Sequence, residues 1–169
     1  MDLILKERLF KLNIEDTYEK LEEEFQKFVT TEELSSIPDT LWIVSNNFTP
    51  NTLPSEGFKL HISATIKNVL DILKSIKTYL DSNLINYKII KSIDHLMMLN
   101  RGLYGYTQIG KAITIYPIDK EDSIKIAFTI DNLTKNFHSP KIPTDNRLHT
   151  NSIVHYRYGS FFIDKNGSI

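Results

Sequence analysis

The segment Gly57-Phe58-Lys59-Leu60-His61-Ile62-Ser63-Ala64-Thr65 alternates apolar and polar residues over its central part. Two is the side-chain period of a β-strand, so Phe58, Leu60 and Ile62 point to one face and Lys59, His61 and Ser63 to the other. The pattern calls for a sheet with one apolar face and a lysine beside a histidine on its reverse. A fixed cation next to a group that titrates near neutral pH suits proton transfer beside a bound anion. The spacing is equally compatible with a solvated face.

The rest of the chain supplies partners for such a strand. Ile14 to Val29 reads as an amphipathic helix carrying Tyr18, Leu21, Phe25 and Phe28 at three- and four-residue spacing, with Glu22-Glu23-Glu24 as a solvated run. Leu41 to Ser45 is a short apolar strand, and Asn46 to Gly57, with Pro50 and Pro54, a loop. After the strand 58–63, a helix capped by Thr65 or Ser63 runs from Ile66 to about Leu80. Tyr87 to Ile90 is a strand, and Ser92 caps a helix over Ile93 to Leu99. Arg101 to Gly110 is a loop, Lys111 to Tyr116 a strand, and Ser123 to Asn136 a helix. Ser139 to Asn151 is irregular, and Ile153 to Phe162 a last strand. The order predicts an α+β (or α/β) single domain, with helices packed on a small twisted mixed sheet.

At 169 residues, 41% of them hydrophobic and 24% charged, the chain suits one soluble globular domain. It has no cysteine, which excludes disulfides, thiolate nucleophiles and cysteine-bound metals. No apolar run approaches the roughly 20 residues of a membrane span, and the start lacks a signal-peptide layout, so a cytoplasmic protein without a membrane partner is expected. The net charge of −1 hides an asymmetry. Residues 1–40, an acidic helical segment, carry five Lys and Arg against eleven Asp and Glu; residues 41–169 carry 15 against 10. The basic body shows no basic run interleaved with aromatics, so a discrete anion fits better than nucleic acid.

Other polar residues have competing readings. Lys88, inside the apolar strand Tyr87-Lys88-Ile89-Ile90, is an edge lysine or a buried functional amine; the pattern favours the edge. Gly110-Lys111 is no Walker loop, because Ala112 and a strand follow, although its glycines can bring backbone amides near an anion. Arg157, between Tyr156 and Tyr158, can fork onto a phosphate or carboxylate, or lie on the surface. His155 can line a site, but Tyr156 can equally define that face. His95 reads as a helix-packing residue, and His138 and His149 as surface residues. No histidine spacing supports a metal site.

As a set, residues 57–65, Tyr87-Lys88, Gly-Lys-Ala-Ile-Thr-Ile-Tyr-Pro (110–117) and Ser-Ile-Val-His-Tyr-Arg-Tyr-Gly-Ser-Phe (152–161) resemble the N-terminal lyase domain of class III lanthipeptide synthetases, over about residues 40–162. That domain is similar in turn to bacterial phosphothreonine lyase effectors. The resemblance implies β-elimination of phosphate from phosphoserine or phosphothreonine of a precursor peptide, leaving dehydroalanine or dehydrobutyrine. It implies Lys88 as general base, His61 as general acid, and Lys59, Lys111, Arg157, Arg147 and Arg101 as phosphate ligands. The loop carrying Arg101 departs from the small-residue pattern of the family.

No cofactor is implied. The implied partners are the phosphorylated peptide and the kinase and cyclase domains of the same synthetase, into which the chain is expected to continue. The chemistry is coherent on its own terms: elimination needs a base, an acid and cations, and neighbouring cations with partial burial lower a lysine from about 10.4 towards neutrality. The competing functions are a non-catalytic phosphopeptide- or leader-binding module and a stand-alone lyase acting on phosphorylated proteins.

Overall fold

The computed structural model describes residues 2–161, with backbone alone for residues 9–15; Phe162, the expected end of the last strand, and residues 163–169 lie outside them. Helix α1 (Leu3–Thr31) starts well before the expected Ile14. Nothing in residues 3–31 breaks a helix, and the Asp2 side chain accepts the Ile4 N–H at 3.3 Å to cap it. Phe25 is fully buried and Tyr18, Leu21 and Phe28 pack on the core. Glu23 and Glu24 are exposed, but Glu22 is not a solvated charge: it accepts the Ile93 N–H at 2.7 Å. This places a carboxylate at the N-terminus of helix α3 (Ile93–Asn100), where free backbone N–H groups favour an anion. The Tyr18 hydroxyl, donating to Asp94 at 2.9 Å, adds a second tie between α1 and α3.

Among the described residues, seven strands form one sheet: β1 (Ser35–Ser36), β2 (Trp42–Val44), β3 (Glu56–Ile62), β4 (Asn86–Ile90), β5 (Ile113–Tyr116), β6 (Asn146–Arg147) and β7 (Val154–Ser160). Their spatial order is β1-β2-β4-β5-β3-β7-β6, and every pairing is antiparallel. The class is α+β as expected, but the sheet is not mixed. The helical crossovers β3–α2–β4 and β5–α4–β7, through α2 (Val69–Ser82) and α4 (Lys120–Leu133), do join strands that run the same way. A third strand is inserted between the members of each such pair, so no two parallel strands are neighbours: a split βαβ arrangement used twice.

One face of this sheet is apolar. Leu60, Ile62, Tyr87, Ile89, Ile113, Ile115 and Val154 pack with Ile72, Leu73, Ile76 and Leu80 of α2 and Ile126 and Ile130 of α4 in the main core. Each such side chain contributes about 1.5–3 kcal/mol when fully buried, which fixes the register and turns the alternate residues to the reverse face. Helix α2 begins three residues later than predicted, because Thr65 and Asn68 cap one another: the Thr65 N–H donates to Asn68 Oδ1 at 2.8 Å and the Asn68 N–H to Thr65 Oγ1 at 3.3 Å. Ser92 caps α3 as expected, accepting the His95 N–H at 3.0 Å. Helix α4 starts at Lys120 rather than Ser123, with Asp119 accepting the Asp122 N–H at 2.7 Å.

Candidate active site

The reverse face of the sheet collects the polar residues into one transverse row. Strand pairing sets Val44 opposite Lys88, Lys88 opposite Thr114, Thr114 opposite His61, His61 opposite His155, and His155 opposite Arg147. Directly paired residues of antiparallel strands share a face. Lys88 and His61 therefore stand on the same surface with only Thr114 between them, two strand spacings or about 10 Å apart at the backbone. Lys59 and Arg157, paired with each other, form the next row.

Lys88 occupies an interior strand, not the edge that the local pattern favoured. It is 4% exposed, and its Nζ lies 4.1 Å from the centroid of the Trp42 ring. Burial, aided by the charges of Lys59 and Lys111, lowers its pKa from the ordinary lysine value to about 7. The Trp42 face favours the cation and opposes this shift; sequence reading had given Trp42 no part beyond an apolar strand. Arg157 is not among the causes at Lys88, so the amine is tuned by burial and two lysines.

Lys59 donates to the Ser160 carbonyl at 3.0 Å, and burial with the charges of Lys111 and Arg157 lowers its pKa. Lys111 is buried immediately before β5. Gly110, at φ +79°, makes its approach possible: a Cβ there would lie 3.0 Å from Ile142 Cγ1. Lys111 thereby comes to 3.7 Å from Asp145, to which it is ion-paired. Arg157 is exposed, while its neighbours Tyr156 and Tyr158 turn to the other face and pack edge-on against Phe58. Four cations, Lys59, Lys88, Lys111 and Arg157, thus converge with one carboxylate among them.

That carboxylate, Asp145, escaped the sequence reading. Its side chain is fully buried, with Oδ2 2.5 Å from His61 Nδ1. It comes from the irregular stretch after α4, where no periodicity exposes a buried acid; its position between Thr144 and Asn146, two residues before Arg147, was the only cue. Burial, reinforced by Lys111 and Lys59 and opposed by Asp145, takes His61 down to about 4. In the unliganded protein at neutral pH the ring is therefore neutral, with Nδ1–H donated to Asp145. His61 Nε2 has no hydrogen-bond partner among the described residues.

His155 does not line the site. It is fully buried, donating from Nδ1 to the Ile153 carbonyl at 3.0 Å and accepting the Ile142 N–H at Nε2 at 3.1 Å. This bond fastens the loop that carries Asp145. Arg147 closes the outer end of the row, donating to the Thr150 carbonyl at 2.9 Å, with a buried Nε that has no partner among the described residues. Arg101, the exposed C-cap of α3, makes no hydrogen bond or ion pair with the cluster. His95 pairs with Ser92 and stacks on Tyr104, as a packing residue, and His149 pairs with Asp131 at 2.9 Å away from the cluster. Among the described residues, no group of acids and histidines is arranged to hold a metal, and no helix is long and apolar enough to cross a membrane.

The chain resembles known proteins. Residues 23–167 match the family described as RamC, N-terminal domain. A probable SapB synthase of Streptomyces coelicolor is 28% identical over 109 residues, which are 64% of this chain and 12% of that protein. The chain therefore aligns with about an eighth of that relative. Among solved structures, the phosphothreonine lyase effector OspF of Shigella flexneri superposes with a TM-score of 0.54 at 13% identity, covering 85% of this chain and 90% of OspF. The phosphothreonine lyase effector VirA of Chromobacterium violaceum gives 0.53 at 15% identity over 73% of this chain and 63% of its own. At these identities the likeness is one of fold.

Proposed function

The chain belongs to the RamC N-terminal domain family, and from that premise we propose that it eliminates phosphate from phosphoserine or phosphothreonine of a peptide, as the lyase unit of a lanthipeptide-type synthetase. One observation carries the reading: a lysine brought to about 7 and a histidine stand on one face, separated by a single residue, among cations that outnumber the acids. That charge imbalance suits a phosphate dianion.

In this reaction Lys88 Nζ takes the Cα proton of the phosphorylated residue. The C–H electron pair becomes the Cα=Cβ bond, the Cβ–O bond breaks, and the oxygen leaves with the phosphate, protonated from His61 Nε2. Lys59, Lys111 and Arg157 hold the phosphate oxygens, with Arg147 at the end of the row as a further phosphate ligand. The dianion also supplies what the unliganded site lacks, since its charge raises the pKa of His61 and favours a proton on Nε2. The kinase and cyclase of a synthetase are the partners this role requires.

The test is to incubate the protein with a phosphoserine peptide and follow the mass. Elimination gives a product one water lighter than the unphosphorylated peptide. A product equal in mass to the unphosphorylated peptide means hydrolysis and ends this reading; binding without any change in mass favours a recognition module. Within the reading, Arg157→Ala raises KM for the phosphopeptide about tenfold or more with a smaller effect on kcat, because an exposed cation contributes chiefly to capture. A large fall in kcat at unchanged KM would move Arg157 from capture to the reacting centre.

A further inference from the structure

We propose that Asp145 is the positioning residue of this site: its carboxylate holds the His61 ring with Nδ1 as donor and Nε2 presented to the phosphate, and couples that ring to Lys111. What Nε2 then does rests on the elimination reading; the positioning itself does not. A fully dry carboxylate costs several kcal/mol unless it is paired and hydrogen-bonded. Here every polar contact is directed. Oδ2 accepts from His61 Nδ1 at 2.5 Å, and Oδ1 accepts from Thr144 Oγ1 at 3.0 Å and faces Lys111 Nζ at 3.7 Å.

The loop is fixed before the carboxylate is used. The Asp145 N–H donates to the Ile142 carbonyl at 3.3 Å, Lys141 Nζ to the Asp145 carbonyl at 3.2 Å, and the Ile142 N–H to His155. The charged groups facing Asp145 are His61 and Lys59 of β3, Lys111 ahead of β5, Lys141 of its own loop, and His155 of β7. Only His61 and Lys111 meet the carboxylate itself. An acid that merely pinned the loop would have no reason to meet an imidazole through the nitrogen that leaves the other one open. The arrangement makes the acid and one phosphate ligand a single unit: a shift of Asp145 moves both.

The experiment is nitrogen NMR of the His61 ring in the unliganded protein, for wild type and Asp145→Asn, together with kcat and KM on a phosphoserine peptide. Wild type is expected to show the Nδ1–H form. Asp145→Asn, which keeps the volume and offers an amide donor to Nδ1, is expected to shift the ring towards Nε2–H. Its kcat falls by about 10²- to 10⁴-fold, with KM changing only a few fold. Wild-type His61 found as Nε2–H overturns the proposal whether or not the variant folds. So does a folded Asp145→Asn that keeps the Nδ1–H form, or one that changes form yet turns over at the wild-type rate. Should wild type eliminate no phosphate, the function reading fails while the ring nitrogens still decide the role of Asp145.

Discussion

Lys88→Met lowers kcat for phosphopeptide elimination by at least about 10²- to 10⁴-fold, the contribution of a single general base, while phosphopeptide binding stays within a few fold of wild type. Met matches the length of the apolar stem, and the site beside Trp42 is buried, so the substitution removes the base without opening a cavity. Because the neutral amine is the active form, the charge-tuning is read by titrating the Lys88 amine of the unliganded wild type by NMR, which gives a limb centred at about 7; an unperturbed lysine would place that limb near 10.4. Lys59→Gln deletes one of the positive neighbours that hold Lys88 down, so the limb moves to higher pH, whatever is lost in phosphate capture. Lost binding in Lys88→Met, or a limb that stays in place in Lys59→Gln, would sink the assignment of Lys88 as a charge-tuned base.

The second large effect is on stability. His155 is fully buried and hydrogen-bonded in a way that only its neutral form satisfies, because protonation at Nε2 would eject the Ile142 N–H. Burial lowers its pKa from 6.5 to about 4. The unfolded chain therefore takes up a proton near 6.5 while the folded one resists until about 4. The stabilisation is complete above the unfolded value and drains away as pH falls between the two. By about pH 4.5 the loss from this one group is about 2–3 kcal/mol relative to pH 7, from the proton linkage. Denaturant unfolding of wild type and His155→Gln at the two pH values isolates it: the variant loses less stability on acidification by that amount. Equal losses would mean that His155 titrates normally in the folded protein.

Much of this architecture could be read from the chain, for identifiable reasons. The alternation of residues 58–63 placed Lys59 and His61 together because side-chain period is a local property, and the helix stripe through Leu73, Ile76 and Leu80 was legible for the same cause. The position of Lys88 was not, since strand order depends on which strand is inserted between β3 and β4, and no local pattern encodes that. Asp145 stayed hidden because its partner His61 lies 84 residues away and its own loop has no period. The role of His155 was obscured similarly: its alternation with Arg157 fixes a face, but not that the face is covered there by the 139–145 loop. Of the cations the resemblance implies, Lys59, Lys111 and Arg157 stand near Lys88, Arg147 lies at the outer end of the row, and Arg101 is the exposed C-cap of α3.

The insertion of β5 between β3 and β4 also bears on when the site comes into being. Residues 56–62 and 86–90 can each be laid down early, but the interval between His61 and Lys88 is undefined until a strand made later in the chain occupies the gap. Lys59 meets Arg157 only when β7, nearly a hundred residues downstream, closes on the far side of β3. Such distant pairings are slow to form, because loop-closure entropy is lost before any contact compensates it. A nascent or partly unfolded chain therefore holds the separate basic residues but not their cluster, and on the proposed function phosphate capture would report completed folding.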